Sequence, residues 1–183
     1  MPTVLTHPVV PLAIAVGLGR GTISKPLLAA GVVASMLPDL DVLAFHFGLA
    51  YSDPWSHRGF SHSLFFALML AAVGAAFARS LASTPNKTFW FLLVATASHG
   101  ILDTFTNGGL GIALLWPFSD ARFFAPLRPI EVSPLGLSRF LSARGLDVLW
   151  SEFRWIWLPC LGATALAFAV QNRRASPVKE RNR

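Results

Sequence analysis

Residues 88–106 read TFWFLLVATASHGILDTFT. No Asp, Glu, Lys or Arg interrupts this run before Asp103, and its apolar residues do not alternate with polar ones as they would in a half-buried strand. A helix rising about 1.5 Å per residue carries such a run across most of a ~30 Å hydrocarbon layer. The helix puts His99 and Asp103, four apart, on one face and one turn from each other. An imidazole and a carboxylate buried together in an apolar run must find partners. They either share a metal ion or form a hydrogen-bonded pair between helices.

Other apolar runs follow the same pattern at 8–19, 26–38, 42–51, 63–78 and 155–170. Across the 183 residues, apolar side chains make up 54% and charged ones 13%, against roughly 25% charged in a soluble domain. The expected fold class is therefore all-α, an integral membrane helical bundle. One cysteine, Cys160, excludes a disulfide framework or a cysteine-rich zinc ribbon, so any metal must be held by His and carboxylates. The net charge of +6 comes with no zinc-finger spacing and no aromatic RNA-binding box, so no nucleic-acid partner is expected. The amino-terminal residues lack the basic start and cleavage site of a signal peptide and are expected to remain in the mature protein.

Charge position gives an expected topology. Arg20, Lys25, Arg79, Lys87, Arg173, Arg174, Lys179, Arg181 and Arg183 fall between or after the runs so that all can share one side. Under the positive-inside rule this predicts about five crossings, at 8–20, 25–38, 62–79, 88–106 and 153–171, within a single domain 1–172 followed by a basic cytoplasmic tail 173–183. All acids but Glu180, and most His, then gather at the non-cytoplasmic ends. The outer segment 107–152 is expected to be mostly helical, with Ser133-Pro134 starting a short interfacial helix that presents Leu135, Leu137, Phe140 and Leu141. It also carries Arg122, Arg128, Arg139 and Arg144, more basic residues than the rule favours in a short outer loop.

Two more clusters carry chemical potential. Pro38-Asp39-Leu40-Asp41 ends an apolar run with two acids, which are costly at a membrane helix edge unless they reach water, a cation or a partner. The block His57-Arg58-Gly59-Phe60-Ser61-His62-Ser63 has two imidazoles suited to one ion, a glycine that permits the turn between them, and a guanidinium able to hold an anionic oxygen. Alternatively, Arg58 pairs structurally with Asp39 or Asp41. Ser61 is placed to cap a helix from His62. His7 precedes the first run and reaches the same rim, whereas His46, Asp53 and Cys160 are read as an interfacial, a turn and a packing residue.

Four His and three Asp converging at one end exceed what a single structural zinc needs. They point to a hydrolytic centre of one or two divalent ions, zinc first, manganese or iron otherwise. Arg58 would steady developing charge, and Asp39, Asp41 or Asp103 would serve as general base. A phosphoester of a lipid or another membrane-associated molecule is the expected substrate, with membrane lipids as the expected partners. A divalent-metal transporter and a non-catalytic scaffold pinned by metal are the competing readings.

The order of His7, the PDLD segment, the HRGFSHS block, His99 with Asp103, and Leu114-Leu115-Trp116-Pro117 resembles the YdjM-like family of predicted metal-dependent hydrolases, the LexA-regulated proteins of the bacterial inner membrane. The resemblance covers residues 7–117. It implies metal-binding roles for His7, Asp39, Asp41, His57, His62, His99 and Asp103 and an inner-membrane location.

The charge sorting predicts orientation. In a Cys160→Ser background, a cysteine at position 53 should react with a membrane-impermeant thiol reagent in intact cells, and one at position 84 only after permeabilisation. The reverse pattern would invert the topology.

Overall fold

Helix boundaries fall where local chemistry sets them. The computed structural model describes residues 1–134 and 137–175. Its helices are α1 (Val9–Gly17), α2 (Lys25–Met36), α3 (Leu64–Ala76), α4 (Pro85–Thr104), α5 (Leu137–Phe140), α6 (Ala143–Glu152) and α7 (Leu158–Ala175). A 3₁₀ stretch, Leu37–Phe47, continues α2, a 3₁₀ turn, Phe60–His62, precedes α3, and a π-helical turn, Phe153–Trp157, joins α6 to α7. Ser24 caps α2 through the Leu27 amide and Thr84 caps α4 through the Lys87 amide, each with a proline in the first turn. Ser63, rather than Ser61, caps α3, its Oγ accepting from the Phe66 amide at 3.0 Å.

Successive helices run up and down, so that the amino ends of α1 and α3 and the carboxyl ends of α2 and α4 share one end of the bundle. Helix α4 is central and packs on α1, α2 and α3. Leu27, Ala34, Ala71, Phe91 and Leu92 form the buried cluster between them. Glycines set the spacing: a Cβ at Gly31 would run into the Phe91 ring, and one at Gly74 into Leu92.

The structure is all-helical, with isolated bridges and no named strand among the described residues. Among the described residues two stretches are long and apolar enough to cross a membrane, Lys25–Phe47 and Ala143–Asn172, rather than five. The other runs do fold as helices, but α1 has 9 residues and α3 has 13, short of the ~20 that a bilayer core requires. Helix α4 reaches 20 residues, with Asn86, Lys87, Ser98, His99 and Asp103 among them.

The outer segment also departs from expectation. Residues 105–134 form an irregular loop held by bridges between Thr106 and Ile130 and between Ile112 and Phe123. Glycines at 109 and 111 with φ of +87° and +79°, and prolines at 117, 126, 129 and 134, deny this segment helical geometry or amide donors. Among the described residues helix next appears at Leu137–Phe140; Leu135 of the expected interfacial helix lies outside the described residues, as does most of the basic tail.

The amino terminus is tied to the far end of the chain. Glu152, fully buried, accepts from the Thr3 amide, from Thr3 Oγ1 at 2.7 Å and from Thr6 Oγ1 at 2.6 Å, while Trp157 Nε1 donates to Thr6 Oγ1 at 3.0 Å. This clamp fixes the residue immediately before His7.

Replacing Glu152 by alanine strands the Thr3 amide and two hydroxyls in the interior and should lower stability by about 2–3 kcal/mol. Thermal unfolding in detergent checks it against Asp147→Ala, an exposed acid one turn earlier. Equal melting of the two variants would show that the clamp carries no stability.

Candidate functional site

The shared end of α1–α4 gathers the titratable residues. His7 precedes α1, Asp39 follows α2, His62 precedes α3, and His99 and Asp103 lie in the last turns of α4. All five are buried. His7 Nε2 lies 3.8 Å from Asp39 Oδ2 and 3.7 Å from Asp103 Oδ1. His62 Nε2 lies 3.9 Å from Asp39 Oδ1 and 3.5 Å from Asp103 Oδ2, and His99 Nε2 lies 3.4 Å from Asp39 Oδ1. The facing nitrogens of His62 and His99 are 3.0 Å apart.

Both nitrogens of His7 and all four oxygens of Asp39 and Asp103 are buried without a hydrogen-bond partner. Native interiors rarely leave so many polar atoms unpaired in one place. Donors about 2.0–2.2 Å from a common ion lie roughly 3–3.6 Å from one another at right or tetrahedral angles, close to the spacings found here. Three imidazoles and two carboxylates therefore suit a divalent ion of the zinc, manganese or iron type.

The surrounding layer orients these rings. His99 Nδ1 meets the Ser35 carbonyl at 2.7 Å, which makes that nitrogen the donor and leaves Nε2 with its lone pair toward the cluster. Asp41 does the same for His62, lying 3.0 Å from its Nδ1. The other Asp41 oxygen lies 2.6 Å from His57 Nδ1, and the Ser61 hydroxyl and the Arg58 amide donate to Asp41 at 2.5 Å and 3.1 Å. Asp41 thus stands one layer behind Asp39, holding two imidazoles; a carboxylate behind a ligating histidine is the usual support of a metal centre. His57, Asp39 and His62 form one compact donor group, and His7, His99 and Asp103 another.

Arg58 is fully buried at φ +67°, a conformation unfavourable to a residue with a Cβ. Its guanidinium donates to the Gly108 carbonyl at 2.7 Å and to Thr106 Oγ1 at 3.0 Å, and its Nε lies 3.7 Å from Asp103 Oδ2. Its side-chain carboxylate partner is therefore Asp103, neither Asp39 nor Asp41. Gly109 makes room for it, since a Cβ there would lie 2.5 Å from Arg58 Nη1 and 2.6 Å from the Tyr51 hydroxyl. Beside it opens a chamber of about 220 Å³, lined by Tyr51, His57, Arg58, Gly109, Val132 and Ser133 among others.

Several positions show roles that the sequence did not announce. Arg122 donates to the carbonyls of Tyr51, Ser52, Asp53, His57 and Arg58 at 3.2–3.4 Å and fastens the loop that carries the histidine block. Its signal was the surplus of arginine in the outer segment. Arg144 pairs with Glu131 at 2.7 Å and Arg128 covers the Phe124 ring, so these charges too serve local structure. The Asn107 amide, then Arg144, hold the Glu131 carboxyl below its ordinary range. His46 is exposed and apart from the cluster, and Asp53 caps its own turn through the Trp55 amide.

The profile of the YdjM inner membrane protein family matches residues 1–175. Inner membrane protein YbcI of Escherichia coli (strain K12) is 48% identical over 160 residues, which span 87% of this chain and 92% of that protein. No solved structure matches the chain.

The tight seat of His62 is testable away from any ligand. A Cβ on Gly100 would strike the His62 carbonyl, whereas one on Gly162 meets nothing within 4 Å. Gly100→Ala should therefore lose about 1–3 kcal/mol in thermal unfolding, and Gly162→Ala should be neutral or slightly stabilising. Equal behaviour would mean that the backbone at residue 62 can shift freely.

Proposed function

The chain belongs to the YdjM inner membrane protein family, and from that premise we propose that it is a membrane-bound metal-dependent hydrolase that cleaves a phosphoester. The observation that carries the reading is the set of buried, unpaired donors on His7, Asp39 and Asp103, facing His62 and His99. These five residues hold one or two divalent cations, with zinc favoured by the nitrogen-rich set and manganese or iron as the other candidates. A cation bound there supplies Lewis acidity, which polarises a phosphoryl oxygen and makes water a better nucleophile near neutral pH.

The remaining work falls to the chain's own groups. Arg58 has five N–H donors, of which two hydrogen-bond to Gly108 and Thr106 while Nε faces Asp103 at 3.7 Å without bonding it, so the guanidinium keeps donors for the substrate's phosphoryl oxygens at the chamber wall. Asp41 keeps His57 and His62 in fixed orientations. In the reaction a water oxygen forms the new bond to phosphorus and the ester P–O bond breaks. A water proton passes to the Asp41–His57 pair and returns to the departing alkoxide. The buried setting preserves the strength of Arg58's charge on the phosphoryl oxygens.

The finer topology belongs to the same proposal. The site faces the non-cytoplasmic side of the inner membrane, where the acids and histidines gather.

Elemental analysis of purified protein tests the metal. Wild type and His46→Ala should carry at least one equivalent of a divalent transition metal, and His62→Ala and His99→Ala should lose most of it. Full occupancy in the last two would sink the ligand assignment. With metal-replete protein screened on phospholipids and isoprenoid phosphates, Arg58→Lys should keep its metal and lose at least tenfold in turnover, because an ammonium cannot reproduce the planar fork. Activity confined to carboxylic esters or peptides would show that the bond is wrong.

A further inference from the structure

Two cavities of opposite character border the donor cluster and its supporting layer, and Met1 lines both. On one side lies the chamber at Tyr51, His57 and Arg58. On the other a cleft of about 390 Å³ runs in from the outer surface of α2, walled by Val4, Val33, Met36, Leu37, Leu40 and Val42, and Asp39 lines it as well. Of these, Val33 and Leu40 are 60% and 58% exposed, so the cleft is open to whatever surrounds the bundle. A second apolar cleft, of about 380 Å³, continues along α2 between that helix and Leu70, Val73 and Leu92, and it shares Val33 and Leu37 with the first. From Asp39 back to Ala30 the track follows α2 for roughly 15 Å, about half of a ~30 Å hydrocarbon core and hence the depth of one leaflet.

Resting on the hydrolase reading above, we infer that this cleft is a hydrocarbon-chain site: the substrate is an amphiphilic lipid phosphoester whose chain lies along α2 while its headgroup enters the chamber at Arg58. Three observations favour that occupant. The cleft is continuous with the cluster through Asp39, which is itself 3.4 Å from His99. The polar opening carries a guanidinium with spare donors, complementary to a phosphate. Lys25–Phe47, whose residues form much of the wall, is one of the two stretches among the described residues that are apolar and long enough to cross a membrane, which suits this face to lipid chains. A small soluble phosphoester would use the chamber and leave the cleft idle.

The test fills the cleft with Val33→Trp, and separately with Leu40→Trp nearer Asp39 in case the first variant folds poorly. Each is first checked for unchanged melting and metal content. Turnover is compared on a long-chain phospholipid and on a water-soluble short-chain ester with the same headgroup. The wild type should prefer the long chain at least tenfold in kcat/KM, and the tryptophan variants should lose that preference while keeping short-chain turnover. Equal turnover of both esters by the wild type, or equal loss of both in the variants, would overturn the chain site and leave the hydrolase reading intact.

A second readout does not depend on catalysis. A diazirine-bearing phospholipid in vesicles should label residues of α2 saturably, with unlabelled lipid competing, and labelling should fall at least fivefold in Val33→Trp. Labelling that rises linearly with probe and ignores the substitution would mean ordinary bilayer contact, and so would overturn the proposal. Should no phosphoester be hydrolysed by metal-replete protein, the hydrolase reading fails and takes the substrate assignment with it, while saturable labelling still decides whether the cleft holds a lipid chain. Efficient disulfide formation between copies carrying Val33→Cys would assign the cleft to a second copy of the chain and also overturn the proposal.

Discussion

Two carboxylates buried without hydrogen-bond partners, Asp39 and Asp103, are the constraint on which the rest of the structure depends. An isolated ionised carboxylate inside a protein is among the costliest groups to bury, and two within reach of the same imidazoles multiply the difficulty. Everything around them reads as a response. Four helices bring their ends together there, three neutral-capable rings face inward, and a buried guanidinium lies 3.7 Å from Asp103 Oδ2, the same oxygen that His62 faces at 3.5 Å. The neighbouring layer of Asp41, Ser35 and Ser61 fixes ring orientation without adding to the unpaired charge. The arrangement is one that a cation would complete and apolar packing could not.

The helical framework was legible because the apolar runs match helix length and period, and each predicted run folds as a helix within a few residues of its expected ends. His99 and Asp103 were legible as a pair for the same reason. Asp39 and Asp41 were not separable from sequence. They lie on a 3₁₀ stretch with about three residues per turn, where positions two apart diverge by roughly 240°. One turns into the cluster and the other stands behind the rings. Ser61 and Ser63 flank His62 symmetrically in sequence, and only the start of α3 at Leu64 decides that the second caps the helix while the first binds Asp41.

The loop 105–134 was the least legible part. Its glycines and prolines dictate irregular backbone, yet the expectation for the outer segment was mostly helix, from the Ser133-Pro134 start and the apolar residues that follow it. Its arginines conflicted with a charge rule that treats them as topological markers. Arg122, Arg128 and Arg144 instead hold carbonyls, a ring and a carboxylate, so their charge is absorbed locally. Thr106 and Gly108 in this loop anchor Arg58. The segment with the weakest regular structure thus sets the geometry of the strongest charge in the site.

The clamp between Glu152 and the two threonines ahead of His7 joins residues 146 and 149 positions apart in the chain. During synthesis the first helix leaves the ribosome long before residue 152, so His7 has no fixed seat while the second, third and fourth helices are made and pack together. The other four donors can assemble as soon as α4 is in place, but the fifth waits for the carboxyl-terminal helices. Completion of the centre is therefore coupled to completion of the polypeptide, and a chain interrupted before residue 152 carries an open, three-sided cluster.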